Sequence, residues 1–169
     1  IPLEIYGFKL TWSAFSFPLV VLAIDLTIRV LGKSIARATI TLSYPLAIIS
    51  SIVVLLIEGS IESVAFRIGF ASATAYGVST LLDVYLFQII RERYNAWWIA
   101  PSISTIFANI IDTYVFFFSA FSNSSDQYMA DNWLEISATQ SIIKIIIGLL
   151  LFLPFYGVLL NFILKKFKK

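Results

Sequence analysis

The sequence predicts an all-α fold: a polytopic bundle of transmembrane helices, one domain over residues 1–169, with five spans in this stretch of chain. Three observations carry that expectation. The composition is 59% hydrophobic and 13% charged, with a mean hydropathy of +0.90, so a soluble domain of this size would lack the polar side chains to cover itself. The apolar runs are long and free of period-two alternation, which argues against a transmembrane β-barrel. Charge also alternates in sign between successive connections, as it does when spans thread back and forth.

Ile1 to Leu10 reads as a short polar-apolar approach carrying Glu4 and Lys9. The first span is placed at 11–31, entered by Trp12 at the interface and stopped by Gly32 and Lys33. The second, 38–57, ends at Glu58 and Gly59. The third, 61–90, spans about 45 Å if helical throughout, so it must tilt or protrude. Trp97 and Trp98 open the fourth span, 98–121. Ser122 to Trp133 is polar enough to be a loop, and the fifth span, 137–163, carries Pro154 as an expected kink.

Basic residues fix the orientation. Arg29, Lys33 and Arg37 surround one connection, Arg91 and Arg93 another, and Lys165, Lys166, Lys168 and Lys169 the tail. The alternate connections carry Glu58 and Glu62, then Asp126, Asp131 and Glu135. The positive-inside rule therefore puts the C-terminus of a multi-pass membrane protein in the cytoplasm and residue 1 outside. Because the sequence opens on Ile1, outside, an earlier span and six spans in the full protein are expected.

With no Cys and no His, thiolate and imidazole metal sites, His-ligated haem, thiol nucleophiles and Ser-His relays are all excluded. No cofactor is expected. A net charge of +2, held in short clusters, gives no nucleic-acid footprint. The first partner implied is the lipid bilayer.

Against that apolar background, Asp25, Arg29, Arg67, Asp83, Asp112 and Lys144 lie within or near the ends of spans. An ionisable group at membrane depth is a functional-site hypothesis by default. At about 100° per residue, Ser102, Thr105, Asn109, Asp112 and Ser119 form one stripe of the fourth span. Ser72, Tyr76, Ser79, Thr80 and Asp83 form another on the third, and Ser137, Gln140, Ser141, Lys144 and Gly148 one on the fifth. Three acids and three bases suggest mutual pairing. Rise per residue puts Asp112, about 21 Å along from Trp98, level with Lys144, about 10 Å in from Ser137, near the outer edge. Asp25 and Asp83 share an inner level, and Arg67 points away, toward the outer headgroups.

Carboxylates among aromatic rings suit a small planar heterocycle with parallel N–H donors. The candidate substrate-binding residues are Asp25, Tyr76, Asp83, Trp98, Asn109 and Asp112, with Phe116 as a stacking surface; Arg29, Arg67 and Lys144 are the candidate ion-pair or gating residues. The residues alone do not choose a nucleobase over a vitamin, a metal ion or a proton.

The segments TWSAFSFP (Thr11–Pro18), DLTIRVLGKSIAR (Asp25–Arg37), FRIGFASATAY (Phe66–Tyr76), LLDVYLF (Leu81–Phe87), WWIAPSISTIFANIIDTYVFFFSAF (Trp97–Phe121), Lys144 and LPFYGVLLN (Leu153–Asn161) follow one another in an order that resembles the queuosine precursor transporters, a branch of the vitamin uptake transporters. The resemblance covers nearly the whole chain. It implies a six-span inner-membrane importer of 7-cyano-7-deazaguanine, a precursor of the tRNA nucleoside queuosine, with its acidic and basic positions at Asp25, Arg29, Arg67, Asp83, Asp112 and Lys144. Ile24 and Thr80 stand where close relatives are expected to carry Thr and Gln.

Two other classes compete. One is the substrate-capturing subunit of an energy-coupling-factor vitamin importer, which would dock on an ATP-driven module. The other is an intramembrane hydrolase, for which Ser141 with Lys144 is the only dyad on offer. A transporter, not an enzyme, is the expectation.

Overall fold

The computed structural model describes residues 2–5, 8–11 and 13–167. The chain opens with a two-stranded antiparallel hairpin, β1 (Pro2–Ile5) and β2 (Phe8–Thr11), with Pro2 opposite Thr11 and Ile5 opposite Phe8. Helices follow: α1 (Ser13–Leu31), α2 (Lys33–Ile57), α3 (Glu62–Arg93), α4 (Ile99–Phe121) and α5 (Gln127–Ile147). A π-helical turn, Gly148–Phe152, joins α5 to α6 (Leu153–Phe167). Trp12, Lys168 and Lys169, singled out above, lie outside the described residues.

The outside of this bundle is oily and its inside is wet. Leu42, Leu46, Ile57, Leu150 and Val158 are exposed, while Asp25, Ser79, Asp83, Ser104, Asn109, Thr113 and Ser137 are buried. That inversion is the pattern of a membrane bundle, in which lipid solvates the apolar side chains and the polar ones find shelter inside. Among the described residues, four stretches are long and apolar enough to cross a membrane: Lys33–Ile57, Glu62–Arg93, Ile99–Phe121 and Gln127–Lys165. The 19 residues of α1 span about 28 Å, close to the thickness of a hydrocarbon core.

Local chemistry explains the joints. Gly32 alone links α1 to α2, at φ 91°, a left-handed conformation that a Cβ would oppose. α2 ends in a Schellman arrangement: Ser60 N–H donates to the Leu55 carbonyl at 3.0 Å and Gly59 N–H to Leu56 at 3.1 Å, with Gly59 at φ 84°. Pro101 sits in the first turn of α4, where a missing N–H is harmless. The expected loop from Ser122 to Trp133 is shorter than the sequence suggests. Asp126 caps α5 by accepting the Met129 N–H at 3.1 Å, so helix begins at Gln127. The irregularity expected at Pro154 is the π turn immediately before it. The proline lacks an N–H and its ring crowds the carbonyl four residues back, Leu150, and the extra residue per turn relieves both.

α3 is the central element, packed most extensively against α4 and then α2. Its α2-facing contact is a row of small residues, Ala65, Gly69, Ala73 and Gly77, all buried and four apart. A Cβ at Gly69 would stand 2.5 Å from Ile52 Cγ1, and one at Gly77 2.9 Å from the Tyr44 ring. Toward the basic end, Ile24, Ile28, Ala36, Ile40, Val84, Phe87 and Ala100 fasten α1, α2, α3 and α4 together.

Candidate functional site

Asp112 on α4 and Lys144 on α5 meet inside the bundle, Lys144 Nζ donating to Asp112 Oδ2 at 2.9 Å. Both side chains are nearly enclosed. Lys144 Nζ also lies 5.3 Å from the centre of the Phe17 ring, a cation–π contact from α1. On the third side, Ser79 of α3 borders Asp112 while its own hydroxyl donates to the Ala75 carbonyl at 2.6 Å. Four helices therefore converge on one ion pair, as the matching depths of the two residues in the sequence predict.

The pair forms one wall of a cavity of about 560 Å³. Phe17, Tyr76, Phe116 and Phe117 line it with aromatic surface, and Ser50, Ser51, Ser72 and Gln140 with polar groups. Phe116 meets Phe117 edge to face at 5.2 Å. Tyr76 is held from behind by a 3.1 Å hydrogen bond between its hydroxyl and that of Ser43 on α2. The volume falls in the range of small-molecule sites, which are mostly apolar with a few fixed polar groups. Lys144 occupies one carboxylate oxygen of Asp112, and the second is a further acceptor for a ligand donor.

Deeper toward the Arg91 end, Asp25 of α1, Asp83 of α3 and Ser104 of α4 face one another, all buried. They bear directly on one another, yet no well-formed hydrogen bond or ion pair holds any of the four carboxylate oxygens. The mutual pairing expected from three acids and three bases thus holds for one couple only. Arg29, one turn beyond Asp25, donates instead to the Trp97 carbonyl and the Tyr156 hydroxyl, each at 3.4 Å. Trp97 stacks on Tyr156 with ring centres 6.4 Å apart. Arg29 and Trp97 also border a second cavity, about 760 Å³, with Trp98, Gly157 and Asn161 on its walls.

The candidate residues therefore divide. Tyr76 and Asp112, with Phe116 and Lys144, share the first cavity. Trp98 lies at the other end, half-exposed on the second. Asn109 is buried one turn before Asp112, donating to the Thr105 carbonyl at 2.8 Å, and does not line either large cavity. The Arg67 guanidinium donates to the Ser122 and Asn123 carbonyls and so caps the C-terminus of α4. A cation there also suits the negative end of the helix. Ser104, Tyr156 and Trp97 were missed by the sequence reading, because a lone hydroxyl or ring on a span carries no signal before its neighbours are known. Ser141 is buried on α5 near Lys144, but Lys144 is committed to Asp112. Among the described residues, no group of three or more Asp, Glu, His or Cys is close enough to hold a metal ion.

Comparison with known proteins agrees with the likeness read from the sequence. Residues 11–159 match the family described as "Putative vitamin uptake transporter". The "Queuosine precursor transporter" of Escherichia coli (strain K12) is 41% identical across 98% of this chain and 80% of its own length. The "Probable queuosine precursor transporter" of Haemophilus influenzae (strain ATCC 51907 / DSM 11121 / KW20 / Rd) is 40% identical across 95% of this chain and 73% of its own. No solved structure matches. Both relatives are named as transporters, in line with a chain that is not an enzyme. Identity of this extent, over a helical membrane bundle with a charged interior, makes the chain a member of the queuosine precursor transporter family, a branch of the vitamin uptake transporters.

Proposed function

We propose that this protein carries 7-cyano-7-deazaguanine across the cell inner membrane into the cytoplasm, where the base feeds queuosine synthesis for tRNA. The observation that carries the reading is the cavity of about 560 Å³, with aromatic walls and the Asp112–Lys144 pair at its polar side. A deazapurine is flat, so Tyr76, Phe116 and Phe117 can stack on its faces. Its guanine-like edge presents parallel N–H donors that a carboxylate accepts. Asp112 is the acceptor we assign to that edge, and Lys144 holds it in place. The names of the two relatives support the solute class.

In this reading the cavity belongs to the extracytoplasmic half, and the second cavity, at Arg29, to the cytoplasmic half. The positive charges at Arg29, Lys33, Arg37, Arg91 and Arg93 support that orientation. The solute is handed from one cavity to the other by alternating exposure, passing the Asp25–Asp83 layer between them. Reconstitution of the purified protein alone into vesicles tests the proposal: labelled 7-cyano-7-deazaguanine should enter without ATP or any further subunit. A requirement for an ATPase partner would instead identify a substrate-capturing subunit. In cells unable to synthesise the precursor, queuosine in tRNA should depend on the gene when the base is supplied outside; equal queuosine without it would refute the transport reading.

A further inference from the structure

Asp25 and Asp83 stand out because neither is held in an ion pair among the described residues. Their relative exposures are 1% and 0%, and all four oxygens lack a hydrogen-bond partner. The charged and titratable groups that face the pair are Arg29, from the same helix as Asp25, and Tyr156 from α6. Arg29 bonds through Nη1 to Trp97 and Tyr156, and forms no ion pair with either carboxylate among the described residues. From α4 the uncharged Ser104 and Thr105 face them, with no ionisable group among the described residues, and the ammonium of α5, Lys144, is taken by Asp112. No ionisable group of α2 is found against the pair among the described residues.

Two carboxylates side by side in so enclosed a site repel each other when both are ionised. One added proton relieves the repulsion and converts the contact into a charge-assisted O–H···O⁻ bond. Two carboxylates and one hydroxyl, beside a cavity of about 10 Å³ with room for about one water, fall short of the six or more oxygens that calcium or magnesium takes from protein and water together. That cavity borders Asp25, with Thr105 and Tyr156 also on its wall. Through Tyr156 and Arg29 it points to the larger cavity beyond. On the opposite side Ser79, one turn before Asp83, borders Asp112, which itself lines the first cavity.

We propose that Asp25 and Asp83 together form a proton-binding site that holds one proton between them and carries it across with the solute. The chemistry balances simply: one carboxylate takes H⁺ from water on the outer side, the pair goes from two negative charges to one, and the same proton returns to water on the inner side. No electrons move and no co-reactant is needed. The binding site stands on its own geometry; its coupling to solute rests on the transport reading above.

Infrared difference spectroscopy of the purified protein between acidic and alkaline buffer tests the site without any solute. A protonated-carboxyl C=O band should appear in the wild type at neutral pH, shift on deuteration, and vanish in both Asp25→Asn and Asp83→Asn while surviving in Asp112→Asn. Absence of the band in the wild type, or its persistence in both variants, overturns the proposal. Coupling is read in proteoliposomes of the wild type with 7-cyano-7-deazaguanine. With one proton per solute, a gradient of about one pH unit, acid outside, should give about tenfold accumulation inside. Uptake that merely equilibrates, or accumulation that follows a sodium gradient instead, rules the coupling out while leaving the transport reading intact. If the base does not enter at all, the transport reading fails, and the infrared band alone decides the proton site.

Discussion

At the scale of single residues, Asp112 and Lys144 illustrate why a buried pair is better evidence of constraint than of stability. Bringing two charges into the bundle gains little net energy, but stranding one of them costs about 3–5 kcal/mol. Asp112→Asn should therefore lower the thermal stability of the purified protein by about 3 kcal/mol, and Asp112→Asn combined with Lys144→Gln should recover most of the loss. If the double variant is as unstable as the single one, the pair is not the source of the effect. Arg67 makes a different contribution, giving charged hydrogen bonds to the Ser122 and Asn123 carbonyls. Arg67→Met should cost about 1.5 kcal/mol and speed hydrogen exchange at the end of α4 without altering ligand binding. The sequence made Asp112 and Lys144 legible because both lie on regular helix, where depth follows from residue count. It could not reveal that Arg29 turns to Trp97 and Tyr156, or that Arg67 caps a neighbouring helix. Both bonds depend on how elements far apart in sequence are juxtaposed.

At the scale of elements, the α2–α3 contact was readable but went unread. Ala65, Gly69, Ala73 and Gly77 recur every four residues, the spacing that lets two backbones approach in a membrane. The polar stripe of α3 overlaps this row, and its polar residues are the more conspicuous signal. Gly69→Val should push against Ile52 and destabilise the bundle by about 1–3 kcal/mol. Adding Ile52→Ala should relieve much of that in a thermal unfolding series; no relief would mean that the two helices are not held at this point. The early start of α5 has a similar explanation. Asp126 is a cap by residue type, but the polar run that follows it resembled loop, and only the Met129 N–H contact identifies the boundary. The expected kink at Pro154 proved to be a π turn, a distinction that hydropathy cannot make because both answers place the same residues in a span.

For the whole molecule, the bundle reads as two cavities with a buried polar layer of Asp25, Asp83 and Ser104 between them. The helical membrane class was legible from composition, because 13% charged residues leave no other way to solvate the surface. The cavities were not legible, since they are made of space between helices. Orientation can be tested directly because the chain has no native Cys. In intact cells, an impermeant maleimide should label Ser60→Cys from outside and reach Tyr94→Cys only after the membrane is broken. The reverse pattern would invert the proposed direction of entry.

The most direct test of the central claim is the thermal stability of the purified protein with and without 7-cyano-7-deazaguanine. At about a hundredfold its dissociation constant, a ligand of the folded state should add about 2.7 kcal/mol. The wild type should show that gain. The Asp112→Asn, Lys144→Gln variant, measured against its own unliganded baseline, should lose it. A wild type indifferent to the base, or a double variant stabilised to the same degree, would contradict a binding site built on Asp112.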